Sequence, residues 1–269
     1  MTPRASLPMY NLPEMQADNF AFWQAIRTEL HSLGVPDIPE TLEFDRKPVP
    51  AEIEPATLFT QVCGWPLQTI YAGQASVIGV PVYDAPFCAG PTHAGVFIVH
   101  RDSSMREIAD LAGCHFVFNS VHSNSGMNLP RRMIADLAGG ERFFASIAET
   151  HSQPGNLERV ARGEAEATCV DCVTFAFFAR HRPHLAERLR VLAPTVSTPA
   201  IPFVTASATP PELRAKLIAA LANVGRSPEW AAARGGLMLA SIAAPYTADY
   251  SIPGRYADEA ARRGYPVLH

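Results

Sequence analysis

Lysine is nearly missing from this chain. Of its 22 basic residues only Lys47 and Lys216 are lysines, and basic residues nowhere form a run. With a net charge of −4, the sequence has no basic patch of the kind that neutralises phosphate backbones, so a nucleic-acid partner is not expected. No segment approaches the ~20 consecutive apolar residues needed to cross a bilayer, so no membrane-spanning helix is expected. Residues 1–8 lack the apolar stretch of a secretory signal. As it stands the chain reads either as cytoplasmic or as one whose leader is missing from it.

Cysteine is present in an odd number: Cys63, Cys88, Cys114, Cys169 and Cys172. That argues against a disulfide framework. Cys169 and Cys172 have redox spacing, but Cys169 falls in an apolar strand pattern and the pair lacks a helix-start setting with a flanking Trp or Pro. Both read as small buried hydrophobes. Several catalytic signatures are absent too. There is no Gly-x-Ser-x-Gly elbow, no phosphate-binding Gly-x4-Gly-Lys-Ser/Thr loop, and no Gly-x-Gly-x-x-Gly after a strand. The nine histidines include no His-Glu-x-x-His pair. No cofactor and no metal is expected, and the chain reads as a non-enzyme.

What is present is a large core-forming fraction. At 269 residues, 48% hydrophobic and 18% charged, the chain suits one large domain or two small ones. Residues 7–10 read as a short first strand. A helix carrying Phe22, Trp23, Ile26, Leu30 and Leu33 follows, with Gly34 as its stop. Residues 35–56 read as connection, 58–62 as a strand and 63–66 as a turn. Residues 75–80 and 96–100 read as strands. Ser104 and Glu107 have capping-box spacing and open a short helix.

Strands at 115–119, 146–150, 167–170 and 189–193 then alternate with helices running to 137, over 156–162 and over 172–181. Alternation with short polar turns predicts parallel βα units, whose ligands bind beyond the carboxyl ends of the strands. Thr209-Pro-Pro-Glu212 predicts a helix start, with Leu213, Leu217, Leu221 and Val224 on the buried side. The remainder reads as a helical tail.

The segment from Cys114 to Leu137 carries the chemistry. An apolar run ends in Asn119-Ser120-Val121-His122-Ser123-Asn124-Ser125-Gly126, and a helical pattern with Leu129, Met133, Ile134 and Leu137 follows. The first amides of a helix have no internal acceptors and lie at the positive end of its dipole, so they suit an anion. Ser123 and Ser125 add hydroxyls, and Gly126 permits close approach to the backbone. Pro130 requires an irregular first turn or a regular helix beginning near Leu129.

Four pieces, in this order and spacing, resemble the phosphate/phosphite/phosphonate substrate-binding proteins of ABC transporters. The first is Asp110-Leu-Ala-Gly113, leading to Ser123-Asn-Ser-Gly126 and Leu129-Pro130-Arg131. The second is Thr150-His151-Ser152, followed by Val160-Ala-Arg-Gly163. The third is Val170-Asp171, and the fourth is Ile201-Pro202, then Thr209-Pro-Pro-Glu212. The resemblance covers residues 80–225 best. It implies an α/β type 2 periplasmic-binding-protein fold with two lobes, each a mostly parallel sheet flanked by helices. Lobe one would be 1–98 plus 200–269 and lobe two 99–199. Hinge crossings near 90–100 and 194–203 would let the lobes close on a ligand.

It also implies a small anionic ligand of phosphonate, phosphite or phosphate type in the interlobe cleft, a periplasmic location and an ABC permease as partner or, lacking export, a sensing role. The resemblance assigns the oxyanion loop to Ser123, Asn124, Ser125 and Gly126. It makes His151 a ligand-facing donor and Asp171 an acceptor for a protonated ligand oxygen or an amino group. Tyr10, Trp65 and Tyr83 would wall off the organic part of the ligand. Beside these roles stand plain ones: His151 as a loop residue, Asp171 as the cap of the next helix, Trp65 as turn packing. Two rival functions stay open. One is the same fold holding a carboxylate or a thiamine-precursor pyrimidine. The other is an enzyme using His151 and Asp171 as an acid–base pair.

Overall fold

The computed structural model describes residues 2–44 and 53–269. Residues 45–52, within the expected connection, lie outside the described residues. The chain divides into two compact units. Unit 1 is Met1–Asp84, Cys88–Thr92 and Pro199–Asp249; unit 2 is Ala85–Phe87, His93–Thr198 and Tyr250–His269.

Unit 1 holds β1 (Arg4–Ala5), α1 (Gln16–Ser32), β2 (Thr57–Gln61), α2 (Gly64–Gln68), β3 (Ala75–Tyr83), β9 (Phe203–Ala206), α7 (Pro211–Arg226), α8 (Ala231–Gly236) and β10 (Leu239–Ala243). Its sheet has the order β1-β2-β9-β3-β10. Only β1–β2 is parallel; β2–β9, β3–β9 and β3–β10 are antiparallel. The apolar stripe of α1 supplies the core. Trp23 stacks on Phe59 with ring centroids 5.5 Å apart, and Phe59 stacks on Phe203 at 5.4 Å. Offset aromatic pairs of this kind add to simple area burial.

Unit 2 holds β4 (Thr92–His100), β5 (His115–Phe118), α3 (Leu129–Ala138), β6 (Ser146–Glu149), α4 (Gln153–Ala161), β7 (Ala167–Asp171), α5 (Cys172–His181), α6 (Pro183–Ala186), β8 (Leu189–Pro199) and α9 (Ile252–Arg262). The sheet order is β6-β5-β7-β4-β8. Here the expected βα units are present: β5 pairs in parallel with β6 and with β7, while β4–β7 is antiparallel. The α/β class stands, but both sheets are mixed rather than mostly parallel. β8 runs past the expected 193 and accommodates Pro194 and Pro199 because it is an edge strand, where a missing N–H breaks no ladder.

Residues 250–269 were expected with the N-terminal third and instead fold into unit 2. Physical ties hold them there. Arg132 on α3 pairs with Glu259 on α9 at 2.5 Å, Asn128 donates to the Pro253 carbonyl at 2.9 Å, and the Phe143 amide donates to the His269 carbonyl at 3.0 Å. Tyr265 is fully buried. Among the described residues no helix is long and apolar enough to cross a membrane.

Candidate functional site

β5 ends at Phe118, and the polar loop after it closes as expected on a capped helix start. Ser123 is the cap: its Oγ accepts from the Gly126 amide at 3.0 Å. The turn from Asn124 to Asn128 is wound as a π-turn, with the Asn128 amide bonded to the Ser123 carbonyl and the Leu129 amide to the Asn124 carbonyl. That wide turn is the irregular start Pro130 requires, and α3 begins at Leu129. Position leaves the Asn124, Ser125 and Met127 amides with no acceptor inside the helix. Asn124 and Ser125 are 1% and 3% exposed. Buried amides call for an acceptor, and at a helix start that acceptor is favourably negative.

Side chains fix this turn from three directions. Asn124 donates to Thr198 Oγ1 on β8 (3.2 Å) and accepts from Asn128 (3.0 Å), whose own Oδ1 accepts from buried Arg131 at 2.8 Å. Burial holds the Arg131 pKa below the usual arginine value, yet guanidinium stays protonated, so a cation lies beneath the turn. The Ser125 carbonyl sits 3.1 Å from where a Cβ at Gly95 of β4 would be. The third support is Gln153, the first residue of α4. Its Nε2 donates to Ser125 Oγ at 3.0 Å and its Oε1 accepts from the Asp171 amide at 2.9 Å. Gln153 thus ties together the starts of α3, α4 and α5, three helices that follow the parallel strands β5, β6 and β7.

Asp171 is the cap of α5, and buried. Its Oδ1 accepts from the Val173 and Thr174 amides at 2.8 and 3.3 Å, and its Oδ2 lies 2.7 Å from His93 Nδ1. Burial alone would lower the His93 pKa, but attraction and hydrogen bonding from Asp171 outweigh it, and the net shift is upward. His151 has a positive φ of 63° and donates its amide to the Asn119 carbonyl. Its side chain is 79% exposed, with Nδ1 3.7 Å from Glu149 Oε1. The imagined His151–Asp171 acid–base pair is therefore not formed: each has another partner.

In unit 1, Tyr10 and Tyr83 are buried and meet edge to face, with centroids 5.5 Å apart. Trp65 sits in the first turn of α2, which replaces the expected turn at 63–66. Cys169 and Cys172 are buried, and burial first, then Asp171, pushes the Cys169 pKa well up. Among the described residues no three His, Cys, Asp or Glu gather as a metal site.

Sequence reasoning brought Ser123, Asn124, Ser125 and Gly126 together but missed Gln153, His93 and Thr198. A Gln two residues after the strand-end His151 was the available sign for Gln153; no local pattern marks the other two.

Solved structures share this fold along the whole chain. The binding-protein component of a phosphonate ABC transporter from Pseudomonas aeruginosa aligns over 98% of this chain and 94% of its own, with TM-score 0.72 and 13% identity. PhnD1 from Prochlorococcus marinus, in complex with methylphosphonate, aligns over 98% of both chains with TM-score 0.69 and 12% identity. XAC2383 from Xanthomonas citri, bound to chloride, gives the same coverage, TM-score and identity, and its ATP-bound form a TM-score of 0.66. The family of phosphonate periplasmic substrate-binding proteins of ABC transporters matches residues 71–250, about two thirds of the sequence, and spans every residue of the Ser123–Gln153–Asp171 arrangement. The chain belongs to that family.

Proposed function

We propose that this chain is a non-catalytic carrier that captures a small phosphorus oxyanion, of phosphonate, phosphite or phosphate type, at the Ser123–Gly126 turn and delivers it from the periplasm to an ABC permease. The observation that carries the reading is the turn itself: buried helix-start amides, two serine hydroxyls and a cation beneath, held by a glutamine shared with two further helix starts. Family membership supplies the transport context. The methylphosphonate held by PhnD1 and the chloride held by XAC2383 are both anions, in keeping with an anion here.

Asp171 narrows the ligand. A carboxylate that caps α5 with one oxygen and faces His93 with the other has little left for a ligand proton or ammonium. In this reading the oxyanion turn carries recognition and Asp171 supports it.

Calorimetric titration of the full chain at neutral pH with phosphate, phosphite, methylphosphonate and 2-aminoethylphosphonate tests the proposal. Heat from at least one is expected, with methylphosphonate or phosphite bound at least as tightly as 2-aminoethylphosphonate. No heat from any of the four would reject the phosphorus reading and favour a carboxylate or a pyrimidine.

A further inference from the structure

His93 and Asp171 form a buried pair that capture of an anion by amides and hydroxyls does not itself explain. Both side chains are 2% exposed, and Nδ1 and Oδ2 are 2.7 Å apart. His93 is the first residue of unit 2 on β4, two positions before Gly95, which pairs in register with Asp171. A Cβ at Gly95 would lie 3.1 Å from the Ser125 carbonyl, so β4 passes close to the turn. One side chain, Gln153, separates the Asp171 amide from Ser125 Oγ. The Asp171 carboxylate, with two amides on Oδ1, brings a negative charge to this cluster. Left alone in a poorly solvated interior, that charge would repel an anion arriving at the turn.

We propose that His93 is the charge-balancing residue of the anion turn: its protonated imidazole cancels the Asp171 carboxylate, so the turn holds an anion more tightly while the imidazole keeps its proton. This rests on the reading of the turn as an anion site. His93 is a positioning residue, since it acts through Asp171.

The surroundings leave His93 as the group that titrates. From β7 come Asp171 and the Cys169 thiol, which burial keeps neutral. From the start of α5 comes the Cys172 thiol. β8, on the other side of β4, brings the neutral Thr195, which accepts from the Gly95 amide, and Thr198; its Arg190 is at the far end, bonded to the Arg101 carbonyl. The oxyanion turn and Gln153 are uncharged. The His93 pKa is raised in the folded chain, so the imidazole keeps its proton to a higher pH than a free histidine would. Affinity is greatest below that pKa and declines as pH rises through it.

The test is calorimetric titration with methylphosphonate from about pH 6 to about pH 9, the range over which His protonation changes. Wild type, H93Q and H93Q/D171N are compared. The ligand titrates in the same range, and ratios between variants cancel that contribution. At the acid end H93Q should bind about tenfold more weakly than wild type, the change carried by one unit of coupled pKa shift. The gap should close toward the alkaline end, and H93Q/D171N should recover affinity over H93Q.

H93Q binding as well as wild type at the acid end would overturn the proposal. So would an H93Q/D171N variant as weak as H93Q, since the imidazole would then be packing only. Should H93Q fail to fold in a thermal melt, D171N decides: its affinity relative to wild type must rise toward alkaline pH, and a flat ratio overturns the proposal. A wild-type chain that binds none of the four anions refutes the underlying anion site instead.

Discussion

At position 126 there is no room for a side chain. A Cβ there would lie 2.0 Å from Asn119 Oδ1 and 3.0 Å from Ser123 Oγ, the two groups that shape the turn. Gly126→Ala must therefore push Asn119 aside or unwind the cap. Overpacking of this kind costs about 1–3 kcal/mol. Urea denaturation should show that loss, and titration with methylphosphonate should show weakened binding; a variant equal to wild type in both would mean the turn tolerates a shape it cannot have here. Much at this scale was legible. Ser123 precedes a helical pattern at cap spacing, Gly126 sits where the backbone must be bare, and Asp171 at a strand end is a natural cap. His151 was readable as a loop residue, but its direction was not. Its φ is positive, its amide donates to the Asn119 carbonyl, and its side chain is exposed. His93 was invisible because its partner lies 78 positions away along the chain, across a strand pairing.

At the scale of elements, three helix starts meet through Gln153. Each lost hydrogen bond is worth about 1 kcal/mol net, so Gln153→Ala should lower thermal stability only modestly. Its effect on binding should be larger, about tenfold or more, because Ser125 loses the donor that orients its hydroxyl away from free rotation. Gln153→Glu keeps the acceptor for the Asp171 amide but replaces the donor with a negative charge, and it should bind methylphosphonate more weakly than the alanine variant. Calorimetry on both variants checks the order; Glu binding as tightly as wild type would contradict it.

Element boundaries were legible where a cap and a stripe coincide, as at the start of α3. They were less so where several caps compete. Helix α4 begins with Ser152 as cap rather than Asn156, whose side chain is buried within the helix and accepts from Thr150. The short 3-10 turn at Ile108–Leu111 takes Asp110 Oδ2 as acceptor for the Arg106 and Glu107 amides, a turn later than the expected Ser104 box. β10 was lost in the expected helical tail because its five residues, Leu239–Ala243, read equally as helix; pairing with β3 makes them a strand.

For the whole molecule, the α/β class and the phosphonate-binding family follow from the order of weak motifs rather than from any one of them. The parallel pairing was readable in the βα run of unit 2. It was not readable in unit 1, where β9 arrives from more than 100 residues downstream and enters antiparallel between β2 and β3. The placement of residues 250–269 was likewise hidden, since it depends on Arg132, Asn128 and Phe143 meeting partners at the far end of the chain. A fold shared at 12–13% identity shows how little of it rests on particular side chains. The Ser123–Gly126 turn is different, because the proposed oxyanion capture depends on its own residues. The most direct measurement is a crystal structure of the full chain grown with methylphosphonate. The account predicts phosphonate oxygens within hydrogen-bond distance of the Ser125 amide and of a hydroxyl in the Ser123–Gly126 turn. Density for the ligand elsewhere, with that turn untouched, would contradict it.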